Sequence, residues 1–141
     1  MESKTYRVFV YGTLMKGARN EALMTGARLE DAYAVTAESS YLMQQFNSSS
    51  SPGKQTPAVT KGGKGHIQGE IYEVDVQGLQ ALDRLEQNGV RYLREEVKMQ
   101  DGTKAWMYFL IANDTPSKQQ DRIDFISATK TYVWKREEPK P

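Results

Sequence analysis

The sequence predicts an α+β domain whose strands are numerous enough to curl into a small barrel. Two observations establish the class. Residues 6–11, 67–74, 92–99 and 105–111 are short runs rich in β-branched and aromatic side chains, the composition of strands. The longer helical patterns are a central segment, residues 77–88, and a C-terminal segment, residues 118–135, so strands and helices do not alternate as a doubly wound βαβ fold requires. At 141 residues, 38% hydrophobic and 26% charged, the chain is expected to fold as one domain over residues 1–141 with a core of its own.

Residues 6–11 are apolar on both faces and predict a central strand. They run into Gly12-Thr13-Leu14, where glycine lets the backbone turn sharply and approach a ligand, with successive N–H groups converging on one anion. No lysine follows Gly17, so this is not a phosphate-binding loop, and an ordinary strand exit is the competing reading. Residues 20–24 predict a short helix ended by Gly26, and residues 27–42 alternate loosely enough to hold a strand or two. Residues 44–65 read as a flexible Ser/Gly/Pro-rich loop: serines occupy 48–51, followed by Pro52, Gly53, Pro57, Gly62, Gly63 and Gly65. Such a loop either reaches over a neighbouring cleft or is a plain surface insertion, with residues 57–59 as a short ordered piece inside it. Residues 67–74 are the next strand, with Gly69 marking a bulge or a close backbone approach. Beyond the central helix, residues 92–99 alternate in part, Asp101-Gly102 predicts a two-residue hairpin, and residues 105–111 form a buried return strand. Pro116 ends that strand; residues 118–135 predict an amphipathic helix carrying Ile123, Ile126, Tyr132 and Val133, followed by a charged tail.

The central helix holds the one anomaly. Asp75 is a suitable N-cap and Asn88-Gly89 a stop signal. Stepping at about 100° per residue from Leu79 puts Leu82 at about 300°, Leu85 at about 240° and Glu86 at about 340°, inside the apolar face. Desolvation there, and the negative end of the helix dipole, both disfavour the charged form of Glu86 and favour a carboxyl group that exchanges protons near neutral pH. The alternative is a helix end at which Glu86 turns out to water or pairs with a lysine or arginine.

Composition removes several function classes. Nineteen basic and 18 acidic residues leave a net charge of +1, which gives no electrostatic case for nucleic acid or an anionic membrane. The absence of cysteine excludes a disulfide framework, a thiol nucleophile and a zinc-thiolate site, and the single histidine, His66, cannot build a multi-histidine metal site. No metal or other cofactor is expected. Residues 1–4 lead directly into a strand-like run, and no apolar span of membrane length follows, so a cytoplasmic protein is the expectation.

Three motifs then stand in order: Val10-Tyr11-Gly12-Thr13-Leu14 with Lys16, Gly17 and Asn20; Gly69-Glu70-Ile71-Tyr72-Glu73-Val74; and Leu82-Asp83-Arg84-Leu85-Glu86 with Tyr92 and Arg94. Together they resemble the γ-glutamylcyclotransferase-like family, within it the γ-glutamylamine cyclotransferase and plant avirulence-induced (AIG2-like) branch, and Tyr108 in the return strand fits the same pattern. Gln87 departs from it, since many members have glycine there, as does the longer, more polar serine-rich segment. The resemblance implies a mixed barrel with flanking helices, a cleft between the Tyr11–Leu14 loop and Glu86, and a reaction. The α-amino group of a γ-glutamyl amine or peptide attacks its own γ-carbonyl, giving 5-oxoproline and the free amine. It implies Glu86 as general base and then acid, with Tyr11, Gly12, Thr13, Leu14, Tyr92 and Tyr108 around the substrate; for Tyr92 and Tyr108 a core role is equally open. The expected partner is a small-molecule γ-glutamyl substrate; the sequence leaves the oligomeric state, monomer or weak dimer, open. Two rivals keep the scaffold: a non-catalytic binding or regulatory module, and an acyltransferase that removes a γ-glutamyl protecting group in a biosynthetic pathway. A paired-carboxylate hydrolase, with Asp83 or Glu95 assisting Glu86, fits less well. Asp83 lies about 60° round the helix from Glu86, on the polar margin, where it orients or caps.

Overall fold

A computed structural model describes residues 4–18, 20–24, 26–47 and 53–135. Strand β1 (Thr5–Val10) buries Val8, Phe9 and Val10, as its two apolar faces require. It is central: β5 (His66–Asp75) pairs with it antiparallel, Val8 opposite Tyr72, and β7 (Lys104–Leu110) pairs parallel, Val8 opposite Trp106. Outside β7 lies β6 (Tyr92–Lys98), and beyond β5 lie β9 (Thr131–Trp134) and β8 (Ile123–Ile126). β2 (Arg28–Val35) also pairs with β5, completing a seven-stranded mixed sheet. Register shifts at Leu29/Asp31 and Asp31/Ala34 bend β2, and the sheet curls into a half-barrel. Phe9, Met15, Ile67, Ile71, Met99 and Met107 fill its interior. Among the described residues, one α-helix, α1 (Val76–Leu85), and a 3-10 turn at Glu21–Met24 flank the strands. No helix among the described residues is long and apolar enough to cross a membrane.

Gly69 makes the close approach its position suggested. A Cβ built there lies 2.3 Å from the Val10 carbonyl oxygen, so β1 and β5 meet at a distance only glycine permits. The turn at Asp101-Gly102 closes the β6–β7 hairpin as expected, with Lys98 opposite Lys104, but the Met99 N–H to Thr103 carbonyl bond (2.8 Å) makes it a three-residue loop. His66 points its Nδ1 at the Thr36 carbonyl, 2.9 Å away, and so ties β5 to the end of β2.

Two expectations are corrected. Most of the segment 44–65 is a hairpin, not a loop: β3 (Tyr41–Asn47) and β4 (Gln55–Lys61) pair from Tyr41 opposite Lys61 to Asn47 opposite Gln55. Its strand character is hidden by Gln45, which is 0% exposed. The Gln45 amide oxygen accepts from the Arg122 N–H (2.9 Å), and Gln120 donates to the Gln45 carbonyl (2.9 Å), so a polar strand residue is buried without an orphaned group. Residues 48–52, with the serine run, lie outside the described residues. The predicted helix over 118–135 is the β8–β9 hairpin. Its β-branched and aromatic content suits strands, and the spacing of Ile123 and Ile126 that imitates a helix spans the two ends of a four-residue strand.

Helix α1 starts as predicted, the Asp75 carboxylate accepting the Gly78 N–H at 2.7 Å. It is shorter than predicted, with Glu86 as C-cap, and the next residue, Gln87, is left-handed at φ 51°. Leu79 and Leu82 are buried, whereas Leu85, assigned to the apolar face, is 46% exposed. The departure at Gln87 thus falls where a helix most favours glycine. Gln87→Gly is expected to raise stability by about 0.5–1 kcal/mol, read as a higher Tm in thermal unfolding.

Candidate active site

At the end of β1 the chain turns through Tyr11-Gly12-Thr13-Leu14. The turn is pinned from behind. Asn20 donates its backbone N–H to the Thr13 carbonyl (2.7 Å) and its side-chain amide to Thr13 Oγ1 (3.0 Å). The Lys16 N–H donates to Glu70, a carboxylate 1% exposed (2.7 Å). Among the described residues, the N–H groups of Gly12, Thr13 and Leu14 have no acceptor. All three residues line a small pocket of about 50 Å³. Four further elements close it: Thr56 and Pro57 from β4, Glu86 at the end of α1, and Tyr92 and Tyr108 from β6 and β7. Gly12 seats against Pro57, since a Cβ on it would lie 2.5 Å from Pro57 Cγ.

Glu86 is the chemical centre of this pocket. Its carboxyl makes no hydrogen bond and no ion pair among the described residues, and burial pushes its pKa up to about 7. Glu86 is half-buried at the helix end and, among the described residues, pairs with no lysine or arginine. Three tyrosines surround it. Burial first, and then the charge of Glu86, hold the Tyr92 hydroxyl well above its usual range. Burial and the hydrogen bond to Asp83 do so for Tyr108, and burial, with Tyr92 and Glu86 nearby, for Tyr11. All three remain protonated donors at neutral pH. Tyr11 spends its hydrogen on the Tyr108 carbonyl (3.0 Å) and Tyr108 on Asp83 Oδ1 (2.6 Å); among the described residues Tyr92 spends its hydrogen on none.

Every predicted site residue, Tyr11, Gly12, Thr13, Leu14, Glu86, Tyr92 and Tyr108, therefore borders the same pocket. Asp83 faces away from it, towards Arg94 and Tyr108, as its angle on the helix suggested, and Glu95 pairs with Lys61 (2.6 Å). Sequence reasoning missed Thr56 and Pro57, because the strand carrying them was read as a loop. A roomier groove, about 690 Å³, runs between α1 and the Glu21–Met24 turn, but its acid, Asp75, is already spent on capping the helix.

The family model described as gamma-glutamyl cyclotransferase, AIG2-like, matches residues 8–138. The chain belongs to the AIG2-like γ-glutamylcyclotransferase family. Among relatives of this cyclotransferase-family chain, a "Gamma-glutamylcyclotransferase family protein" of Citrobacter rodentium is 34% identical over 72% of the chain and 79% of its own length. An uncharacterized protein of Pyrococcus horikoshii has a solved structure at 25% identity and TM-score 0.59, covering 82% of this chain and 86% of that one. An aig2-like protein of Mus musculus shares the fold at TM-score 0.63 and 24% identity, over 96% of this chain and 99% of its own. The family pattern and the half-barrel of this cyclotransferase-like chain agree, and its pocket lies where the first and third sequence motifs meet.

Proposed function

We propose that the protein converts a γ-glutamyl amine or peptide into 5-oxoproline and the free amine. The observation that carries this is a single unpartnered carboxyl, Glu86, sharing one pocket with three uncommitted backbone N–H groups. The substrate brings its own nucleophile, so the protein need only hold the γ-glutamyl chain folded back and move one proton at a time. Glu86 as carboxylate takes a proton from the α-ammonium group. The freed amine attacks the γ-carbonyl carbon, forming the lactam C–N bond. The developing oxyanion, or the substrate α-carboxylate, is matched by the N–H groups of Gly12, Thr13 and Leu14. The γ-amide C–N bond then breaks as Glu86 returns the proton to the departing nitrogen and takes up the second proton that the ring nitrogen loses. A pKa of about 7 suits both halves of this shuttle, because the group is present in both forms at neutral pH. Tyr92, the pocket tyrosine with an uncommitted hydroxyl, is placed to contact substrate.

Incubation with a panel of γ-glutamyl dipeptides, γ-glutamyl-ε-lysine and glutathione tests this, with 5-oxoproline as the readout. Release from at least one of them is the expected result. No 5-oxoproline from any member of the panel would remove the cyclotransferase reading and leave its two rivals, the binding module and the deprotecting acyltransferase.

A further inference from the structure

Asp83 lies three residues before Glu86 on α1, outside the pocket, and collects more polar contacts than a surface carboxylate needs. Arg94 grips it with two hydrogen bonds, Nε to Oδ1 at 2.8 Å and Nη2 to Oδ2 at 3.1 Å. That guanidinium is held in turn: it lies over the Trp106 ring, 4.5 Å from the centroid, and the Arg94 backbone N–H donates to Asn88 Oδ1 at 2.8 Å. Asp83 Oδ1 also accepts the Tyr108 hydroxyl at 2.6 Å. Tyr108 lines the pocket beside Glu86. Positions three apart on a helix are neighbours, with Cβ atoms about 5–6 Å apart, so a hydroxyl bound at Asp83 stands one helical turn from Glu86.

We propose that Asp83 is a positioning residue: it captures the Tyr108 hydroxyl hydrogen and so keeps the Glu86 carboxyl without a donor. This rests on the reading of Glu86 as the proton-transfer group. The hydroxyls and charges facing Glu86 are few. Tyr11 approaches from the β1 exit, Tyr92 from β6 and Tyr108 from β7; β4 contributes only the neutral Thr56 and Pro57; Asp83 stands on α1 itself, with Arg94 behind it and Arg91 beside Tyr92. The Tyr11 hydrogen is fixed on a backbone carbonyl and the Tyr92 hydroxyl has no partner among the described residues, so of the three tyrosines Tyr108 is the one whose direction a side chain sets. A hydroxyl turned onto Glu86 would stabilise its charged form and make it a weaker base. Arg94 supplies the counter-charge that keeps the Asp83 oxygens available as acceptors.

The test reads Glu86 directly and needs no turnover, so its failure is separable from a failure of the cyclotransferase reading. The carboxyl 13C resonance of Glu86 is titrated in the full chain and in three variants. In the parent protein the midpoint is expected at about 7. In Asp83→Ala it is expected to fall by about one pH unit, as the freed Tyr108 hydroxyl turns to Glu86. In Asp83→Ala/Tyr108→Phe, with no hydroxyl left to turn, it returns to the parent value. A merely structural role for Asp83 lowers Tm and leaves the midpoint in place, which overturns the proposal. A midpoint that falls and is not restored in the double variant also overturns it, because the released Arg94 charge is then responsible. Tyr108→Phe alone removes one oxygen and keeps the ion pair, so it reports even where Asp83→Ala does not fold. Its midpoint should match the parent, and a rise would show that Tyr108 already donates to Glu86.

Discussion

Glu86→Gln is expected to reduce 5-oxoproline formation by about 10²–10⁴-fold and, at pH 8, to unfold at a higher temperature than the parent protein. The two effects have one cause. Gln keeps the shape of the protonated carboxyl and neither takes nor returns a proton. The sign of the stability effect follows from the raised pKa. Burial lifts Glu86 from 4.5 in the open chain to about 7 in the fold, so the folded protein holds this proton more tightly. The contribution is fully present below pH 4.5 and is lost as pH rises through 7, where the folded protein must carry an unpartnered buried charge. The penalty at pH 8 is roughly 3 kcal/mol, at 1.36 kcal/mol per pKa unit. Glu86→Gln should therefore match the parent near pH 4 and exceed it above pH 7, by differential scanning calorimetry across that range. A residue kept at the expense of stability, and lost together with activity, is the behaviour of a site group and not of a helix end.

Gly69→Ala should have the largest effect on folding. The added Cβ would sit 2.3 Å from the Val10 carbonyl oxygen and 3.0 Å from Tyr11 Cα. Both obstacles are backbone, so no side-chain rotation relieves them. β1 must move off β5, at the point where Val10 hands the chain to the pocket loop. A loss of about 3 kcal/mol or more is expected in denaturant unfolding, and at temperatures where the variant still folds, a displaced Gly12–Leu14 loop should raise KM.

The residues most legible in the sequence were those whose chemistry contradicts their local pattern. Glu86 stood out because a carboxylate on an apolar helix face is anomalous, and Gly69 because glycine inside a strand weakens it without a reason for close contact. β1 and β7 were legible because central strands need apolar residues on both faces. The β3–β4 hairpin was not. Its strand residue Gln45 is polar, and what permits its burial is a set of partners at Gln120 and Arg122, far along the chain, which no local window contains. Thr56 and Pro57 were lost to the site with it. The β8–β9 hairpin was misread because two isoleucines three apart satisfy a helical period, while pairing with β5 decides the outcome. Leu85 shows the same limit: helix phase alone put it on the apolar face, and tertiary packing left it at the surface.

The proposed chemistry needs Glu86 to carry a proton with a midpoint near neutrality. The most direct test is kcat/KM for 5-oxoproline formation against pH, on the best substrate of the panel. The value should rise about tenfold per pH unit on the acidic side and level off near pH 7, where Glu86 ionises. A profile already on its plateau at about pH 5, the position of an ordinary carboxylate or of no carboxylate at all, would contradict it.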